Sequence, residues 1–239
     1  MLQRASPAGA CRSCQTLGAS VPADEGFCSP EQFLAELRNS PAGRGATARA
    51  EVARLAAGSP GKAISIARSI EHPWYRCQAL ASVVEANPSH PSANQLLAES
   101  LASAYNQHEP NRVASVAFWP LRILVKSDLN EAIAHTIKLL GIIAQEPHGL
   151  RRLDGLSSIL AAVVDAKQLR DAVLPRFLEA SKVSHGWRTE RIIDGAIHAL
   201  APHDRESAAS LLASRPVTRQ TRRSRALLSS TQSASNAGT

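Results

Sequence analysis

The chain has 239 residues, 44% of them hydrophobic but only 4% aromatic. That apolar fraction excludes a disordered chain, no run reaches the roughly 18 apolar residues of a membrane span, and a core of Ala, Leu, Ile and Val suits close-packed helices better than strands. The formal net charge of +7 is uneven: residues 214–239 carry five arginines and no acid, so the body holds 22 basic against 20 acidic residues, and this weakens the case for a nucleic-acid-binding folded part.

Residues 1–28 contain three of the four cysteines with several Gly, Pro and Ser and no helical period, and read as a loop-like or disordered leader. The segment lacks a continuous apolar region, which argues against a secretory signal and for a cytoplasmic protein. Cys11, Cys14 and Cys28 have the spacing of three quarters of a small zinc ribbon. Structural zinc takes four ligands, so folding would have to bring in Cys77 or a histidine; otherwise the three are unpaired thiols beside a helix cap.

At Ser29 the pattern changes. Ser29 as N-cap, Pro30 at the first helical position and Glu31 and Gln32 in the first turn predict a helix start. A second helix is expected over 45–57, closed by Gly58 and Pro60. Turn signals then recur at 58–61, 71–73, 87–91, 108–110, 127–128, 146–148, near Asp165, at 184–186 and at 202–204, or about 19 residues per helix and turn and about 37 per hairpin. Between them apolar residues fall at helical spacing: Ile66 and Ile70; Leu97, Leu101 and Tyr105; Ile133, Ile137 and Leu140; Leu156, Ile159, Leu160 and Val163. Pro120 and Pro175 fall inside predicted helices and should kink or split them. After Ala213 the chain turns to Ser, Thr and Arg, and residues 214–239 are expected to be disordered.

One unit organises the body. In EHPWYRCQALASVV (71–84) a His-Pro turn precedes a helix with Arg76 before the pair Ala79 and Leu80. Looser copies place Arg112 before Ser115 and Val116, Arg152 before Gly155 and Leu156, and Arg188 before Ile192. Arginine, two residues, a small residue and an aliphatic resembles the second helix of HEAT-type repeats, over roughly residues 45–213. The resemblance implies an all-α fold, a right-handed α-solenoid of about five stacked hairpins, over residues 29–213.

Candidate functional residues follow from the same unit. Arg76, Arg112, Arg152 and Arg188 would form a positive stripe if they share a face; alternatively they pair with the turn acids Glu71, Glu109, Glu146 and Glu190 or with neighbouring carbonyls. His72, His90, His108, His148, His185 and His203 lie at predicted turns. Adjacent helices pack about 8–10 Å apart, too far for a shared metal, so these read as turn and cap residues. Trp74, Trp119 and Trp187 invite comparison with the HEAT-like DNA glycosylases, which this chain resembles in length and architecture; that resemblance implies a groove with tryptophans and a catalytic Asp, for which Asp154 and Asp194 are the nearby acids. Arg215, Arg219, Arg222, Arg223 and Arg225 would bind nucleic acid or an acidic partner through counterion release, or serve only solubility. Common metalloprotease, nucleotide-binding and serine-hydrolase motifs are missing from the sequence. The leading expectation is a non-catalytic scaffold for a protein or peptide, with Trp74, Trp187 and the repeated arginines at its surface, no membrane association and no cofactor. A nucleic-acid binder, at the extreme a glycosylase, and a zinc-dependent adaptor are the alternatives.

Overall fold

A computed structural model describes residues 29–215, 221–226 and 228. The described residues are all-helical, without a strand. The helices are α1 (Pro30–Asn39), α2 (Pro41–Leu55), α3 (Pro60–Ser69), α4 (Pro73–Ala86), α5 (Ala93–Tyr105), α6 (Pro110–Ser127), α7 (Leu129–Ile143), α8 (Gly149–Val163), α9 (Lys167–Val183), α10 (Trp187–Leu200) and α11 (Arg205–Ala213). A short helical segment, α12, follows at 221–226. From α4 to α11 each helix starts 17–20 residues after the last, in line with the interval read from the turn signals. No helix among the described residues is long and apolar enough to cross a membrane.

Ser29 caps α1 in a reciprocal box: its hydroxyl accepts from the Gln32 amide at 3.2 Å, and the Gln32 side chain accepts from the Ser29 amide at 3.1 Å. The second helix begins earlier than the expected residue 45, because Ser40 and Pro41 repeat the signal of Ser29 and Pro30. Ser40 ends α1 and caps α2, accepting from the Gly43 amide at 3.0 Å.

The even-numbered helices α2, α4, α6, α8 and α10 pack in a row, each against the one before and the one after. Each odd-numbered helix from α3 to α7 lies against the two even helices that flank it, α9 packs on α8 and α11 on α10. A single apolar core runs the length of the row from Val52 to Leu228, with Leu80, Leu96, Leu121, Leu139, Leu153, Ile159, Phe177 and Ile193 fully enclosed. Small residues set how closely the row packs. A Cβ built on Gly155 would come within 2.5 Å of Ile143 Cδ1 and 3.2 Å of Ala114 Cβ, so the bare glycine lets α8 approach α6 and α7. Ile137, expected in the core, is 65% exposed; Thr136 and Leu140 occupy the buried stripe of α7 instead.

The two internal prolines do not end their helices. Pro120 removes the amide that would donate to the Val116 carbonyl, and the Cys77 thiol of α4 points at that carbonyl from 3.5 Å. Pro175 lies on the exposed side of α9, where water can satisfy the carbonyl it strands. Cys77 is fully enclosed, its sulfur 3.3 Å from Ser100 Oγ. It therefore cannot complete a zinc set with the leader cysteines without leaving the core. Cys11, Cys14 and Cys28 lie outside the described residues.

The expectation of disorder for 214–239 does not hold at 221–226 and 228. Thr221, Ser224 and Leu228 are buried at a spacing of three and four, which is one face of a helix.

Two outcomes are expected. Gly155→Val should destabilise the fold by about 1–3 kcal/mol, the usual range for overpacking, read as a lowered urea midpoint at unchanged slope. Burial pushes the Cys77 thiol up to about 12 from its ordinary 9.0. Because its folded pKa is raised, the stability it contributes is intact below about pH 9 and falls as pH rises toward 12. Cys77→Ala should flatten that alkaline loss in urea titrations between pH 8 and 11.

Candidate functional site

The arginines of the repeated unit do not form one stripe, because register turns them in different directions. Arg76 is half-buried against α5 and donates from Nε to Ser103 Oγ at 3.0 Å. Arg152 folds back on its own N-terminal turn, and its Nε and Nη2 donate to the Glu146 carbonyl at 2.8 and 2.6 Å. Both serve the fold. Arg112 is exposed and pairs with Glu109 at 3.1 Å. Arg188 makes no side-chain hydrogen bond or ion pair with a described residue, and its guanidinium lies 5.3 Å from the Trp187 ring centroid. Among the turn acids, Glu71 pairs with Arg44, and Glu190 with Arg215.

The tryptophans also divide. Trp74 is half-buried against the core. Trp119 sits edge-on to Phe118, with Arg122 5.0 Å and Arg49 5.5 Å from its centroid, and Arg122 is anchored to Glu85. Trp187, at the first position of α10, is 68% exposed. It is the largest of the exposed apolar side chains among the described residues.

Trp187 stands in a groove of about 540 Å³ between α8 and α10. Leu150, Arg151, Asp154 and Ser157 come from α8, and Trp187, Arg188, Arg191, Ile192 and Gly195 from α10. Both helices present residues at steps of three and four: 150, 154 and 157 on one wall, 188, 191 and 195 on the other. Gly195 is exposed in the lining and leaves open space where a Cβ would stand. Arg151 lies 3.7 Å from Glu109, a carboxylate it shares with Arg112. Arg188 and Arg191 make no ion pair with any described carboxylate. The groove thus joins an apolar platform of Trp187, Ile192 and Leu150 to three guanidinium groups and one carboxyl.

That carboxyl belongs to Asp154. Desolvation by the groove walls raises its pKa, and Ser115 of α6 lowers it in part. The Ser115 hydroxyl has no hydrogen-bond partner of normal geometry, so its influence is a weak polar contact. Asp194, the other acid singled out by sequence, is elsewhere: Ser224 donates to it, and His198 Nε2 lies 3.9 Å away. Sequence reading named Trp187, Arg188 and Asp154 but passed over Arg151 and Arg191. The signal was the step of three from Arg151 to Asp154 and from Arg188 to Arg191, which puts each pair on one side of its helix.

Of the tail arginines, Arg215 is largely buried in its pair with Glu190, Nε lying 3.2 Å from Oε2. Arg222, Arg223 and Arg225 are exposed, and Arg219 lies outside the described residues. The turn histidines are where the sequence puts them; His72 and His148 are the N-caps of α4 and α8, without a side-chain capping bond. Among the described residues no group of three or more His, Cys, Asp or Glu side chains converges as a metal set.

The raised pKa of Asp154 has a testable sign. Its folded-state value lies above the unfolded one, so ionisation costs stability, and the deficit grows as pH rises through the folded pKa. Asp154→Asn should therefore raise the urea midpoint at pH 7 and leave it unchanged at pH 3, where the wild-type carboxyl is protonated in both states.

No family model, no curated protein and no solved structure matches this chain.

Proposed function

We propose that the protein is a non-catalytic binding scaffold, a right-handed HEAT-like array of about five helical hairpins whose partner is an acidic peptide segment lodged in the groove between α8 and α10. The row of even helices, each packed on its neighbours, supports the repeat reading. The observation that carries the binding reading is the exposed Trp187 beside Arg188 and Arg191, two guanidiniums with no carboxylate partner among the described residues. Trp and Arg are enriched among the few residues that dominate binding at protein interfaces, Trp through apolar area and Arg through its planar fork of donors. An acidic segment with one aromatic or aliphatic anchor satisfies both: the anchor covers Trp187 and Ile192, and its carboxylates take the guanidiniums.

A second reading, a nucleic-acid groove with glycosylase-like chemistry at its extreme, is favoured by one observation: Asp154 and Trp187 share the groove. A zinc-dependent adaptor would rest on Cys11, Cys14 and Cys28, outside the described residues.

Titration of the full chain with a fluorescein-labelled peptide of Glu residues around one Tyr tests the proposal. Trp187→Ala and Arg191→Ala should each weaken binding about tenfold or more, equivalent to about 1.4 kcal/mol. Arg76→Ala, which removes a residue bonded within the fold, should leave it unchanged. A single-stranded oligonucleotide that binds tightly with a steep salt slope, and loses affinity in the same two variants, overturns the peptide reading in favour of the second.

A further inference from the structure

The face that lines the groove continues past α8. Asp154 on the α8 wall is in polar contact with Ser115 of α6, and Arg151 beside it lies 3.7 Å from Glu109, the N-cap of α6. From Ser115 onward, Phe118, Trp119 and Arg122 follow at steps of three and four, on one side of α6. The side of α6 that borders the groove therefore carries, one to two turns farther on, a second tryptophan with arginines around it.

Trp119 offers something different from Trp187. It is half-buried, with Arg122 and Arg49 at 5.0 and 5.5 Å from its ring centroid and Arg122 also 5.4 Å from that of Phe118. Guanidinium, rather than bare indole, is what this place presents to a ligand. A guanidinium stacked on an aromatic ring keeps its edge donors available for an acceptor. Arg122 is engaged by Glu85 of α4, yet its side chain is 32% exposed. Arg49 makes no side-chain hydrogen bond or ion pair with a described residue, and its Nε is buried without an acceptor. It comes from α2, with α4 between them in the row, and stands beside Trp119 with no counter-ion.

The charges along this face are uneven in the same sense. Glu85 and Glu109 are each held by arginine, and Asp154 makes no ion pair. Cations without a carboxylate stand at both ends of the path, Arg188 and Arg191 in the groove and Arg49 at Trp119.

We propose that the acidic segment is bipartite: beyond the residue anchored on Trp187 it crosses α8 and α6 and sets a second group of carboxylates against Arg49 and Arg122. This extension rests on the peptide reading of the groove. Charge complementarity argues for the occupant. A chain with carboxylates at both ends and none between meets guanidiniums at both ends and Asp154 on the way. Two helix spacings of about 8–10 Å separate α10 from α6, and an extended chain at about 3.3 Å per residue crosses them in about five or six residues. Because one chain joins the two contacts, the second acts at the effective concentration the linker sets and adds affinity to the first.

The test uses the full chain and two fluorescein-labelled peptides. Each has a Tyr flanked by Glu and, about six residues on through Gly and Ser, a pair of Glu in one peptide or of Gln in the other. Both are made in either chain order. The readout is the ratio of the two affinities, which a general loss of fold leaves alone because it weakens both peptides alike. The Glu pair should bind about fivefold or more tighter in the better order, and the ratio should fall to near unity in Arg49→Ala. Glu85→Gln, which frees Arg122, should raise the ratio above wild type. A wild-type ratio near unity, or one that persists in Arg49→Ala, overturns the second contact; a ratio that does not rise in Glu85→Gln overturns the part given to Arg122. If the Gln-pair peptide binds through Trp187 and Arg191 while the ratio is near unity, the second contact fails and the groove stands. If the ratio holds but Trp187→Ala and Arg191→Ala leave both peptides unaffected, the groove reading fails and the contact at Arg49 stands. No binding of either peptide overturns both. A single-stranded oligonucleotide that displaces both peptides and is itself weakened by Arg49→Ala assigns the path to a polyanionic strand and overturns the acidic segment.

Discussion

No helix in this chain can bury its apolar stripe alone, so the fold depends on contacts between neighbours along the row of even helices. Those contacts are close because small residues sit where helices cross. Gly155 against Ala114 and Ile143 and Gly45 against Tyr75 are examples, and α4 and α6 contribute Ala79, Ala81, Ala114 and Ala117, all enclosed. Short side chains at the crossings replace the bulk that aromatics supply in other cores. They also make the row sensitive to a single added methyl group at its centre.

The same constraint decided what the sequence could disclose. Helix starts were legible where a hydroxyl precedes a proline, as at Ser29, because the cap satisfies amides that nothing else can reach. The identical signal at Ser40 and Pro41 was there and escaped notice, since a helix that begins one residue after another ends breaks no expected period. Spacing disclosed the turns from 71 onward well, as these hairpins repeat at near-constant length. Ile137 was misplaced because its neighbours Ile133 and Leu140 define a stripe broad enough to include it on paper; packing chose Thr136 instead.

The site was half legible. Exposed Trp187 and Arg188 stood out by type, yet nothing in a linear motif says that Arg76 will turn toward Ser103 while Arg188 turns to solvent. That difference arises from which neighbour each helix meets, an attribute of the assembled row. At 221–226 and 228 the expectation of disorder missed for a related reason. The composition there is that of a disordered segment, and among the described residues Ser224 finds a partner in Asp194 of α10 that its own sequence does not announce. The tail's charge, read alone, suggested an external acidic ligand; Glu190, paired with Arg215, shows how a fold can provide one from within.

The meeting of Cys77 with the Val116 carbonyl has a consequence for substitution. Pro120 removes one donor from α6, and the thiol of α4 stands over the acceptor left behind. Neither residue is well suited to its place without the other. A chain that lost the proline would regain a helical amide and no longer need sulfur at position 77, while one that lost only the thiol would keep a buried carbonyl short of a donor. The two positions, distant in sequence and on different helices, are thus linked through one backbone carbonyl, and a change at either alters what the other has to satisfy.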